Sequence, residues 1–503
     1  MIILDEEDQR RAKQAPYTAG PTLRFPEKAA GRSDSPLPDY ETSEARQQLI
    51  LKHSNQRKID PKLWRAILYA LAIYVTLSVA IGVPIIVLKK PKSTEVVVPD
   101  PSIWGSDDSD SGTPLSLANV DTWTLDKDAH CGWTNIQDDP SHYTFTARSQ
   151  YNLSHTGSVF IRSNVSLITD KKNFIEAKLS VDINPDSKAT NILFDVNITA
   201  STSGLLRSTG PCFSDKGNNR GLYIYSSRRL SSMDALWLEI RLLFPQESSN
   251  QILENFVTYL PSFSQTFGNL TGDAAFNNVL IEGSGRDIIC QSMKAPKIAI
   301  KNSYGSIRGV FRASESLNLD SIKGSIITNV TLASDPKRTT PTYLTLDTGD
   351  GEIDARVTLL APDSWFTGRP THPRAFVADV KTFNGPLKLK VANSASTPPV
   401  PLQLSVQNNL ANTSVTLDPC YEGTFSAQTK LSQVFVRERF IGPWLDPLQQ
   451  SRQMSTIYYQ NESTRVRGWI GWGKQPTYGD GIIQGQVKII SSLSPVMLQL
   501  SGT

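Results

Sequence analysis

Ile298-Ala-Ile-Lys-Asn-Ser-Tyr-Gly-Ser-Ile307 is followed, 19 residues on, by Leu317-Asn-Leu-Asp-Ser-Ile-Lys-Gly-Ser-Ile326. Each reads as a strand, a polar corner ending in glycine, and the start of a second strand, because apolar and polar residues alternate on both sides of the corner. The unit returns at 343–346 before Thr348-Gly-Asp-Gly351 and Glu352-Ile353, and again at 377–380 before Thr382-Phe-Asn-Gly385 and Pro386-Leu387. A further copy runs from 402–406 through Asn408-Asn409 to 414–417. The corner glycines lie 19, 27 and 34 residues apart, and the longer gaps hold polar or Pro-rich insertions at 333–341 and 361–373. A rung of about 20 residues with loops hung on it is the pattern of a parallel β-solenoid. One rung cannot bury its own apolar face, so stacked neighbours must supply the core. Glycine and asparagine are expected to provide the positive φ of tight corners. An antiparallel sandwich with glycine turns is the competing fold for residues 261–503.

Residues 115–260 alternate with period two as well. Ile175, Ala177, Leu179, Val181 and Ile183 point one way and Glu176, Lys178, Ser180 and Asp182 the other; Leu236, Leu238, Ile240, Leu242 and Phe244 repeat the pattern. Further strands are expected at 158–161, 191–198 and 222–225, and a short helix at 251–260. The region reads as all-β, with a sandwich and the first rungs of a solenoid both open.

A search for chemistry finds one set. Asp350, Glu352, Asp354 and Arg356 surround a strand start, and the last three share an outer face if side chains alternate. Paired carboxylates on such a face suit glycoside hydrolysis; a solvated strand face is the plainer reading. Trp469 and Trp472, between glycines, suit either a flat platform for sugar rings or a hydrophobic cap. His130, His142, His155 and His372 form no metal-spaced pair, and no phosphate loop or nucleophile elbow is present. No cofactor and no metal site are expected, and the chain is read as a non-enzyme. A net charge of +3 over 503 residues, without a basic stretch interleaved with aromatics, argues against nucleic acid.

Four cysteines, Cys131, Cys212, Cys290 and Cys420, are too widely spaced for a zinc site and are expected to form two disulfides, with three connectivities open. Seven Asn-x-Ser/Thr triplets begin at Asn152, Asn164, Asn197, Asn269, Asn329, Asn412 and Asn461. All lie after residues 66–88, a run of 23 residues without Asp, Glu, Lys, Arg or His. That run spans about 34 Å as a helix, enough for a bilayer core of about 30 Å. Five cations flank it on the N-terminal side within about 15 residues and three lysines on the other. Charge and sequons agree on a type II signal anchor over 63–88, with a cytosolic N-terminus and the rest lumenal or extracellular, at the plasma membrane or in the secretory pathway.

Residues 1–62 are rich in charge, Pro and Ser and read as a disordered tail. Within it Leu37, Pro38 and Tyr40 resemble a variant of the Pro-Pro-x-Tyr ligand of WW domains, which implies a WW-domain ubiquitin ligase as a possible partner of the tail. Residues 89–114, dominated by Pro, Ser, Gly and Asp, read as a stalk.

The repeated Gly-Ser-Ile and Gly-Glu-Ile corners, over about residues 275–440, resemble the putative-adhesin family of β-helical domains. The whole layout, with Leu-Pro-Asp-Tyr-Glu in the tail and Val-Ala-Ile-Gly-Val-Pro-Ile-Ile in the span, resembles uncharacterised type II membrane proteins of filamentous fungi. The resemblance implies a fold rather than an activity. The sequence thus leads to a membrane-anchored glycoprotein with an adhesion or interaction role toward cell-wall glycans or surface proteins. The alternatives are a membrane-tethered polysaccharide-active β-helix enzyme, or cargo or adaptor for WW-domain ubiquitin ligases.

Overall fold

The computed structural model describes residues 130–501, apart from 140–143, 166–173, 216–219, 228–233, 247–251, 273, 336–337, 339, 362–374, 395–398, 440–445, 447–449 and 477–483. The proposed span at 66–88, the tail and the stalk lie outside the described residues. Among those described, no helix is long and apolar enough to cross a membrane. Among the described residues nearly all regular structure is β, and the one helix, Ser203–Ser208, is a single short segment capped by Thr202, whose hydroxyl accepts from the Leu205 amide.

The repeating corners fold the chain into rungs, each with one strand in sheet A, a corner, and one strand in sheet B. Sheet A stacks Phe276–Glu282, 297–301, 316–321, Thr342–Thr348, Phe376–Thr382 and Leu402–Asn408 in parallel. Sheet B stacks the first halves of Ile288–Asn302 and Ile307–Ser321, then Ile326–Ala333, Ile353–Leu360, Leu387–Asn393 and Thr413–Leu417, also in parallel. Alternation sends every second residue inward. Leu319, Leu346, Val380 and Val406 form one buried column of sheet A, and Ile307, Ile326, Ile353 and Leu387 one of sheet B. Each such side chain contributes about 1.5–3 kcal/mol by leaving water, and none could do so on an isolated rung.

At both ends the stacking order departs from the chain order. The rung made by Gly157–Ser163 and Phe174–Ile183 lies between that of Gly221–Ser226 with Ala235–Phe244 and that of Leu253–Tyr259 with Ser264–Asn269. In the same way Gly485–Ser491 and Val496–Ser501 slot between Leu402–Asn408 with Thr413–Leu417 and Gly423–Thr429 with Val434–Arg439. Antiparallel strands then continue the sheets outward. Asn191–Ala200 and Thr144–Ser154 extend sheet B at one end, while Arg465–Trp472 and Met454–Glu462 extend sheet A at the other. Residues 130–260 therefore contribute rungs and antiparallel strands together. The ladders run through residue 260 without a break, since Leu253–Tyr259 pairs with both Gly157–Ser163 and Phe276–Glu282. That pairing also corrects the helix expected at 251–260. Two parallel neighbours bury Phe256, Val257 and Thr258 in succession, and tertiary pairing overrides the local pattern.

The corners are polar inside. Thr348 accepts from the Gly351 amide (3.1 Å) and donates to the Gly324 carbonyl of the rung before it (3.1 Å). Thr382 repeats this with Gly385 (3.2 Å) and Gly351 (3.0 Å). Asn408 donates to the Gly385 carbonyl at 3.1 Å. Asn302, Ser321, Thr348, Thr382, Asn408 and Ser491 are all buried, and the side chains of Asn302, Thr348, Thr382 and Asn408 reach back to a carbonyl of the preceding corner. The expectation of positive φ at these glycines is overturned, because the only positive-φ glycines among the described residues are Gly132, Gly157, Gly221 and Gly473. Close approach is the reason instead. A Cβ on Gly324, Gly351 or Gly385 would lie 1.9, 2.0 and 1.8 Å from the carbonyl oxygen of the preceding corner glycine.

The two-disulfide expectation is also corrected. Cys131 and Cys212 are bonded, joining the two-residue strand His130–Cys131 to Thr209–Ser214. Cys290 and Cys420 are free thiols. Cys290 lies on the sheet-B strand that begins at Ile288, and Cys420 just follows Thr413–Leu417, five strand steps along the ladder. That is roughly 24 Å, against about 7 Å for a bridgeable pair. Burial pushes both thiols up to about 12, aided at Cys420 by the Asp418 and Glu422 carboxylates.

Candidate interaction faces

Inward-pointing residues make the core, so chemistry is left to the outward positions of the two sheets. On sheet B, Ile353, Ala355 and Val357 are buried while Glu352 and Arg356 are exposed and Asp354 is half-buried, as the alternation requires. Register aligns Arg308, Ile327, Asp354 and Lys388 in one column. Val310, Asn329, Arg356 and Lys390 form the next, and Lys294, Arg312, Thr331 and Thr358 a third. Six cations thus share three columns with a single carboxylate, Asp354. Its partner is Lys388, at 3.5 Å, on a lysine 67% exposed. Of the acids singled out in the sequence, Glu352 stands at the corner and Asp354 two residues on, both outward, and the strands on either side of Asp354 present Ile327 and Lys388. Ile289, Val310 and Ile327, each about two-fifths exposed, lie among the cations.

The outer face of sheet A is built from the same rungs and differs. One column runs Glu282, Lys301, Asp320, Asp347, Lys381, with Asn318, Thr345 and Asp379 beside it. Burial raises the carboxyls of Glu282, Asp320 and Asp347 above the usual range, and the Asp320 charge raises Asp347 further. Lys301 and Lys381 oppose these shifts, and Asp379, 5% exposed, is ion-paired with Lys381. Among the described residues no group of three His, Cys, Asp or Glu side chains is placed to hold a metal ion.

The remaining sequence candidates fall as follows. Asn152, Asn164, Asn269, Asn329, Asn412 and Asn461 are exposed and Asn197 is half-buried, so no sequon is buried. Trp469 and Trp472 are buried rather than presented as a platform. Their indoles donate to Gln484 at 3.1 Å and to the Pro419 carbonyl at 2.8 Å, and the strand that carries them extends sheet A at its end. Leu37, Pro38 and Tyr40 lie outside the described residues. Reading along the chain missed the cationic face, because its members come from strands separated by corners and insertions. Aligning the chain on the corner glycines would have brought Arg308, Arg356, Lys388 and Lys390 onto outward positions.

A family model described as a domain of unknown function, DUF7330, matches residues 298–455, the stretch that carries the regular corners. No curated protein matches the chain. Among solved structures, the crystal structure of a "putative cell adhesion protein" from Clostridium sporogenes is similar at 8% identity, covering 71% of this chain and 99% of that one, with a TM-score of 0.14.

Proposed function

We propose that this chain is a membrane-anchored, glycosylated interaction protein whose β region binds a surface partner, a cell-wall glycan or a surface protein, without turning it over. The observation that supports this reading is the outer face of sheet B, where six cations share three columns with one ion-paired carboxylate, Asp354. Such a face attracts and holds a negatively charged partner, because its cations outnumber its acids. The 23-residue uncharged run at 66–88 and the sequons that all follow it support anchoring with the β region outside the cytosol, the layout of the fungal type II proteins the sequence resembles.

The test uses the full-length chain, purified in detergent and passed over immobilised cell-wall polysaccharides and surface-protein extracts, with retention and released sugars both recorded. Retention without release is expected. Release of shortened or unsaturated sugars, abolished by Asp354→Asn, would replace this reading with the polysaccharide-active enzyme. Glycosidase treatment should also lower the apparent mass of protein made in a eukaryotic host; unchanged mobility would remove the glycoprotein part of the proposal.

A further inference from the structure

We propose that the outer face of sheet B is a binding site for a linear polyanionic glycan, one with a carboxylate or sulfate on most of its sugars, laid along the stacking axis. This rests on the binding reading above and names its ligand class. From the strand that holds Lys294 to the strand that holds Lys390 are four ladder steps, about 19 Å at the usual strand spacing. Over that length Lys294, Arg308, Arg312, Arg356, Lys388 and Lys390 all point outward; Asp354 is the one acid in their three columns, and Glu352 stands at the corner beside them. Among the described residues only Lys388 of the six forms an ion pair with a carboxylate, while Lys390 acts at longer range on the buried Asp418. Like charges this close repel one another, and a polyanion relieves that repulsion as it binds.

The shape of the face selects among anions. Regular columns, a strand spacing apart, match an extended polymer whose charge recurs along its length better than a single small anion. The Arg308, Arg312 and Arg356 guanidiniums can each take a carboxylate or sulfate with two parallel hydrogen bonds. Asn329, Thr331 and Thr358 stand between the cations and can exchange hydrogen bonds with sugar hydroxyls. Ile289, Val310 and Ile327 offer small apolar patches to the C–H faces of sugar rings. No aromatic side chain stands in the three columns, so the stacking platforms that hold nucleic-acid bases and the aromatic anchors of membrane-surface segments are both missing from them. Asn329 begins a sequon in the centre of this face, so a glycan there would cover the neighbouring Arg356.

The experiment follows from that last point. Full-length protein in detergent, trimmed with an endoglycosidase that leaves one sugar on each site, is titrated with polygalacturonate, a neutral glucan, duplex DNA and vesicles containing phosphatidylserine, at low and high salt. Saturable binding to polygalacturonate that weakens steeply with salt is expected, with none to the glucan. Arg356→Gln combined with Lys390→Gln should lower that affinity at least tenfold at unchanged melting temperature, and Lys388→Gln alone by a smaller factor. Lys323→Gln, an exposed corner cation off the face, should change nothing. Absence of polygalacturonate binding, equal loss with Lys323→Gln, full affinity in the face variants, or stronger binding to DNA or vesicles would each overturn the proposal. Retention on a neutral polysaccharide or a surface protein without polyanion binding would overturn it while leaving the interaction role standing. Release of sugar products would overturn that role as well.

Discussion

The two outer faces of the stack come from the same rungs, joined by the same corners, yet they are opposite in character. Sheet A mixes acids and bases in adjoining columns and keeps them half-buried or buried, so that Lys301 and Lys381 are set against Glu282, Asp320, Asp347 and Asp379. Sheet B gathers six cations in three outward columns, with Asp354 the one acid in those columns. The core does not distinguish the faces, since aliphatic columns fill both inner sides. The difference lies wholly in outward positions that folding leaves free. A stack of this kind therefore separates its stability from its recognition, and the corner is the device that fixes one face in register with the other.

Breaking that device should give the largest effect. A Cβ at residue 385 would meet the Gly351 carbonyl oxygen at 1.8 Å and its carbon at 2.3 Å, both backbone, so no side chain can move aside. The corner must separate, losing the bonds that Thr382 makes to the Gly385 amide and the Gly351 carbonyl. Gly385→Ala is expected to cost upwards of about 4 kcal/mol, read as a lower denaturation midpoint or loss of folded protein. Gly285→Ala, with nothing within 4 Å of the added carbon, is the matched control and should cost less than about 1 kcal/mol. Equal stability of the two variants would mean that the corners do not hold the faces in register.

The strands around the corners were legible in the sequence because their period is short and local. Ile298 to Ile307 and its later copies needed only alternation and a glycine to be read. What the glycine was for was not legible: positive φ and close approach leave the same letter, and only the carbonyl of the rung beneath separates them. The ends were harder still. That Gly157–Ser163 would lie between two later segments, or that Gly485–Ser491 would return inside an earlier one, depends on pairings far apart in the chain that no local pattern records. One expected disulfide formed, Cys131–Cys212, and the second failed for a similar reason, since Cys290 and Cys420 occupy rungs that sequence distance cannot place. The candidate site was half legible. Asp354 and Arg356 were found on one face, but Lys294, Arg308, Arg312, Lys388 and Lys390 join them only through register.

A smaller effect sharpens the contrast between the faces through pH. The Asp347 carboxyl is raised above its ordinary value by burial, then by Asp320, with Lys381 opposing. A carboxyl raised on folding costs stability while it is ionised, so the cost is present at neutral pH and disappears as pH falls through the raised value toward the ordinary one. Asp347→Asn should therefore be the more stable protein at neutral pH, by about 1 kcal/mol or less, and the gain should vanish in acid. Thermal unfolding of both proteins across that range measures it. A variant less stable at neutral pH would show that the pairing with Lys381 outweighs burial, and that sheet A is held together by its charges rather than strained by them.

The smallest effect is expected on sheet B, at the residue the sequence put forward for chemistry. Asp354 is half-buried and meets Lys388 at 3.5 Å on a side chain two-thirds exposed, an ion pair of the kind that contributes about 0–1 kcal/mol. Asp354→Asn should leave stability within about 0.5 kcal/mol of the parent and, by removing the one acid among six cations, raise affinity for a polyanion rather than lower it. The comparison of faces depends on that sign. If sheet B is a surface that collects negative charge, Asp354 is a brake on it and its removal strengthens binding, most clearly at low salt. If Asp354 instead takes part in positioning or cleaving a substrate, its amide must weaken binding or abolish product release. Titration of the Asp354→Asn protein with polygalacturonate, beside the parent and with released sugars assayed in the same samples, separates the two, because the brake and the catalyst predict changes of opposite sign.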